Sequence, residues 1–168
     1  MTLTMKRMLA VTDPLESYLE KVEELIEKHG WTVQIAMDRR PFAYTVGLWS
    51  EQGKPELIVR GLSPETAIST LHSAIEELAS KAAPWEAGML LENVFSKFPA
   101  KMVPVQPEKV SQFLRVLKYF TDEQVPAWQI LWPDRKGLFP GEPGADERIL
   151  SIQDLDVPLT PEHSGTLQ

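Results

Sequence analysis

The chain has 168 residues, a net charge of −7 and no cysteine, with 43% hydrophobic and 24% charged residues. That is an ordinary globular composition, long enough to form the core of one domain without metal or disulfide staples. The missing cysteine excludes disulfides, thiolate nucleophiles and sulfur-ligated zinc or iron–sulfur clusters together, and the acidic surplus opposes a phosphate backbone, so no nucleic-acid partner is expected.

The first stretch, MTLTMKRMLAVTDPLE, holds two basic residues and then only four consecutive apolar ones, Met8 to Val11. A signal peptide needs a longer apolar segment, and no window approaches the run of about 20 apolar residues that spans a bilayer. Residues 1–12 are therefore read as a lead segment, and the expectation is a cytoplasmic protein with no membrane partner.

Three helices follow in the pattern, each opened by proline at its first position. In TDPLESYLEKVEELIEKHG, Asp13 caps, Pro14 starts the helix, and Leu15, Tyr18, Leu19, Val22, Leu25 and Ile26 share one face. Gly30 ends it, because glycine takes a left-handed cap without steric cost. WTVQIAM (31–37) then alternates Trp31, Val33, Ile35 and Met37 against Thr32, Gln34 and Ala36, the period of a half-buried strand. FAYTVGLWS (42–50) reads as a second strand and PELIVRGL (55–62) as a third, with turns at DRRP and EQGK. The second helix, after Ser63 and Pro64, presents Ala67, Leu71, Ala74, Ile75 and Leu78. Short strands are expected near GMLLENVF, KMVPVQ and AWQILW. A third helix over PEKVSQFLRVLKYF presents Val110, Phe113, Leu114 and Leu117. The order is not a regular alternation of strand and helix, so the expected class is α+β, a mostly antiparallel sheet with about three amphipathic helices packed on it. One domain over 13–150 is expected, followed by a tail, 151–168, rich in turn formers and disordered after about Leu159.

The pieces His29-Gly30-Trp31, Tyr44-Thr45-Val46-Gly47-Leu48, Pro55-Glu56-Leu57, Gly61-Leu62 and Trp132-Pro133-Asp134 together resemble the family known as domain of unknown function 4262. The resemblance extends from about residue 16 to 147, and it implies a setting in bacteria or their phages. It implies no catalytic residue.

The chemistry-bearing residues give no enzyme signature. His163 falls in the tail, His72 on the edge of the second helix's apolar face, and His29 in the last turn of the first helix, where its charge suits the dipole. No HxxxH or HxH spacing offers a metal site, and no GxSxG elbow offers a serine nucleophile. No cofactor is expected. Gly47, placed inside a strand, asks for a bulge, a crossing backbone or a ligand. Arg60 lies in an otherwise apolar strand, as an edge charge, a partner for Glu56 or an anion-binding group.

The segment VPAWQILWPDRKGLFPGEP (125–143) stands out most. Trp128, Ile130 and Trp132 alternate onto one face, leaving Gln129 and Leu131 on the other, and PDRKG is a tight-turn sequence around Asp134. The following LFPGEPG is expected to lay Leu138 and Phe139 over the core as a flap. A stiff loop carrying Trp132, Asp134, Arg135 and Phe139 is also a pre-organised recognition surface. The reading is thus a small non-catalytic binding module that recognises a protein partner or small ligand through this loop and the adjacent strand face, as a stoichiometric inhibitor or sequestering protein. The alternative is an enzyme acting on a small polar or phosphorylated metabolite, with Tyr44, Thr45, Arg60, Gln129 and Asp134 converging in a pocket. A third is a homodimer formed through the same aromatics.

Overall fold

The structure, a computed structural model, describes residues 13–37, 40–81 and 85–156. Asp13 opens α1 (Pro14–His29) by accepting from the Leu15 and Glu16 amides, and Gly30 closes it at φ 84°. Then come β1 (Thr32–Ala36), β2 (Phe42–Val46), a short α2 (Leu48–Gln52), β3 (Glu56–Arg60), α3 (Pro64–Ala79), β4 (Leu90–Leu91) and β5 (Ala100–Pro104). The chain continues through α4 (Pro107–Phe113), a 3-10 turn (Arg115–Tyr119), β6 (Ala127–Leu131) and α5 (Glu147–Gln153).

The six strands form one sheet in the order β1-β2-β3-β6-β5-β4. Every neighbouring pair is antiparallel except the central one, β3 with β6. The class is α+β, as the pattern predicts. Both faces are covered, which explains why β2 and β3 are buried at every residue. On the first face Phe42, Tyr44, Val46 and Ile58 pack against Val22 and Ile26 of α1 and against Val110, Phe113 and Leu117. On the second face Ala43, Leu57, Val59, Met102 and Ile130 pack against Ala67, Leu71, Ala74 and Leu78 of α3.

Four local expectations are corrected. The strand read over 42–50 stops at Val46, and Leu48 and Trp49 belong to α2. Gly47 sits at φ 114°, and a Cβ there would stand 2.9 Å from the Trp31 Cα, so it is a backbone crossing rather than the middle of a strand. Arg60 is neither on an edge strand nor the partner of Glu56, because β3 has a neighbour on each side and the two side chains bond elsewhere. The third helix is not continuous, since Leu114, at φ −91° and ψ 61°, breaks it between α4 and the 3-10 turn.

The last element was not anticipated. Asp146 caps α5 by accepting from the Arg148 amide, and α5 runs across the boundary expected at 150/151 with Ile149 and Gln153 buried. The disorder expected after Leu159 lies outside the described residues.

Candidate functional site

Most of the polar groups singled out in the sequence hold the fold together. The buried Tyr44 hydroxyl accepts from the Val116 amide at 3.2 Å, and burial raises it well above the usual tyrosine range. Thr45 points to the opposite side of β2, where its Oγ1 donates to Glu56 at 2.7 Å and accepts from the Leu57 amide at 2.9 Å. Glu56 also accepts from the amides of Gly47, Leu48 and Trp49, which fastens the start of α2 to β3. Its burial outweighs these donors and pushes the carboxyl up to about 7.

Arg60 is fully buried. Its Nη1 donates to the Asp154 carbonyl at 2.5 Å, and its guanidinium lies 5.0 Å from the centre of the Phe113 ring. Such a stacked guanidinium is held by ring and carbonyl together.

The 132–143 loop is a fastened flap. The Trp132 indole donates to the Arg60 carbonyl at 2.8 Å, and Phe139 is buried with the Lys101 ammonium 4.8 Å from its ring centre. Asp134 gathers the loop from inside, accepting from the amides of Lys136, Leu138 and Asp146. The Leu138 and Asp146 amides are the main reason its carboxyl is held below the usual aspartate range. Of Trp132, Asp134, Arg135 and Phe139, only Arg135 is exposed. Phe139 is buried and Trp132 half-buried, so the two aromatics do not form one open surface, and the five residues of the enzyme reading do not meet in one pocket. Tyr44 and Thr45 lie on opposite faces of β2, and Asp134 is occupied by its own loop.

Gln129 is different. It is only 6% exposed, yet it lines a cavity of about 280 Å³ over the first face of β5 and β6. Val103, Val105 and Leu131 give that cavity an apolar lining, Leu150 and Leu155 close it from the α5 side, and Pro140 brings in the flap. The Gln129 Nε2 donates to the Gln153 carbonyl at 2.6 Å. A carbonyl can only accept, so the amide orientation is fixed and Oε1 faces away from Gln153. No donor among the described residues reaches that oxygen. The oxygen is not itself enclosed and opens to the cavity, where water or a ligand can donate to it.

Around the mouth, Lys109 of α4 stands 3.5 Å from Asp156, while the Asp154 carboxylate accepts from the Asp156 amide at 2.8 Å. Sequence reasoning found Gln129 and its strand face but missed Val103, Lys109, Leu150, Leu155 and Asp156. The signal for the last three was present in ADERILSIQDLD, a capping aspartate followed by Ile149 and Ile152 at helical spacing. Among the described residues no group of three or more His, Asp or Glu side chains is placed to hold a metal ion, and no helix is long and apolar enough to cross a membrane.

Fold and cavity together define an α+β domain with a two-sided core and a small amphipathic recess beside its closing flap. The family described as Domain of unknown function (DUF4262) matches residues 25–146, well over half the chain, and the chain belongs to it. No curated protein and no solved structure matches the chain.

Proposed function

We propose that this chain is a non-catalytic binding module for a small ligand, seated in the cavity over β5 and β6. One observation carries the reading: Gln129, only 6% exposed as a residue, turns its amide oxygen away from Gln153 on the wall of an apolar recess. Ligand sites are typically apolar concavities with a few polar groups that fix orientation, and this recess has that make-up at the small end of the size range. The carboxyl groups best suited to acid–base work support the non-catalytic half. Glu56 and Asp134 are enclosed by backbone donors, and neither lines this cavity. The strand face beside the flap is thus the recognition surface, with the flap as its fixed wall rather than its reader.

Native mass spectrometry of the protein purified gently from cells tests this, with Leu150→Trp as the comparison. Leu150 is 41% exposed at the cavity wall, so an indole there fills the recess at little cost to the fold. The wild type is expected to carry a small-molecule adduct lost on denaturation, and Leu150→Trp to fly without it at an unchanged melting temperature. An adduct that persists in Leu150→Trp, or a wild type that is always free of one, contradicts the reading.

A further inference from the structure

A second concavity lies apart from the cavity over β5 and β6. It is a groove of about 290 Å³ between α1 and the end of the 3-10 turn, with Leu15, Leu19, Tyr119 and Phe120 as its apolar lining. Leu15 is 39% exposed and Tyr119 41%, so the apolar strip is open to solvent. The charged residues that line it, Asp13, Glu16, Glu20 and Glu23, are all acidic. An apolar strip rimmed by charge of one sign selects an occupant that is both apolar and basic.

Glu16 is an independent sign of the same need. Its Oε1 is buried without a hydrogen-bond partner. A buried acceptor left in that state is costly, so the groove favours an occupant that brings a donor.

The chain carries such an occupant beside the groove. Residues 1–12, MTLTMKRMLAVT, hold Lys6 and Arg7, no acidic residue, and the apolar Leu3, Met5, Met8 and Leu9. They join the described fold at Asp13, itself on the groove wall. The stretch from Arg7 to Asp13 extends to about 20 Å at most, and Asp13 to Glu23 measures about 15 Å along the helix axis. A segment turned back along α1 therefore brings its two cations to the acidic rim. Tethering also gives it an effective concentration on the order of millimolar, which a free peptide or a second copy must exceed.

We propose that residues 1–12 dock in this groove as an intrachain cover. Lys6 and Arg7 meet Glu16 and Glu23, and the neighbouring apolar residues lie on Leu15, Leu19 and Phe120.

Paramagnetic nuclear magnetic resonance on the full-length protein tests this. A nitroxide on Thr4→Cys is a clean label, because the chain has no cysteine of its own. The amide signals of Leu19, Glu23 and Phe120 are expected to broaden away, while Leu90, in β4 at the opposite edge of the sheet from β1, keeps its intensity. Adding Lys6→Glu and Arg7→Glu to the labelled chain should bring the groove signals back. Adding Glu16→Lys and Glu23→Lys on top of those should broaden them again. Groove signals that stay sharp in the labelled chain, or that broaden equally with Lys6→Glu and Arg7→Glu, overturn the proposal. Sharp signals that nevertheless shift on titration with a lysine-rich peptide would overturn it in favour of a separate basic partner. A mixture of nitroxide-bearing chain with isotope-labelled wild type covers the remaining occupant: broadening of the groove signals there assigns the groove to a second copy and overturns the intrachain cover.

Discussion

The side chain of Gln153 pairs with the main chain of Trp132 as another strand would. Its Nε2 donates to the Trp132 carbonyl at 2.8 Å and its Oε1 accepts from the Trp132 amide at 3.0 Å. One glutamine therefore satisfies both backbone groups just beyond β6, and its own carbonyl takes the Gln129 amide. Helix α5, the flap and the cavity wall are joined at this residue. Gln153→Ala strips both backbone partners and leaves a gap at a site only 1% exposed. We expect a loss of roughly 2–4 kcal/mol in urea denaturation, with faster amide exchange over 132–146.

Glu56 makes stability depend on pH. Its folded-state value of about 7 lies above the ordinary 4.5, so the folded chain holds this proton more tightly than the unfolded chain. The contribution is complete below the unfolded value and is lost as pH rises through the folded one. Over that interval it amounts to roughly 3 kcal/mol. Melting temperatures across pH 5 to about 8 should fall in the wild type relative to Glu56→Gln, which has no such proton to lose. A wild type that gains stability against the variant over the same interval would mean that the Thr45 hydroxyl and the α2 amides outweigh burial.

Gly47 should tolerate no side chain. Its φ of 114° disfavours any L residue, and a methyl group would press on the Trp31 Cα at 2.9 Å and the Gly30 carbonyl at 3.1 Å. Backbone atoms cannot step aside as a side-chain tip can. Gly47→Ala is expected to cost about 3 kcal/mol or more by chemical denaturation.

Asp134 makes a local prediction rather than a global one. Its carboxyl is held below the ordinary aspartate range by the Leu138 and Asp146 amides, so the loop's support is present above the unfolded value of 3.8 and fades as pH falls through the folded one. Hydrogen exchange should show residues 134–146 protected at neutral pH in the wild type. Asp134→Asn, which turns a donor toward one of these amides, should open the same segment at neutral pH. An unaltered exchange pattern in the variant would remove Asp134 as the organiser of the flap.

How far the sequence was legible follows from the range of each signal. Capping residues and helical periodicity act within a few positions, so α1 and α3 were readable from Asp13, Ser63 and their apolar faces. Alternation placed Trp128, Ile130 and Trp132 on one face and Gln129 on the other, as in β6. It failed at Gly47 because FAYTVGLWS continues to alternate while the backbone turns to clear Trp31, a contact between different parts of the chain. Arg60 looked like an edge charge since nothing nearby in sequence shows that β6, some seventy residues on, pairs beside β3. The flap was recognised from its prolines and glycines. Whether its aromatics faced water or core was decided by Arg60, Lys101 and α5, and the short span of α5 hid it at the start of an apparent tail.

The central claim is that a ligand sits against Gln129, and nuclear magnetic resonance reports on that residue directly. The measurement is titration of the isotope-labelled protein with the small-molecule fraction of a cell lysate, following the Gln129 side-chain amide with the methyl groups of Val103, Leu131 and Leu150. These signals are expected to shift together, saturably, and Leu150→Trp to abolish the shifts. Shifts confined to the 134–143 flap or to α1, with Gln129 unmoved, would contradict it.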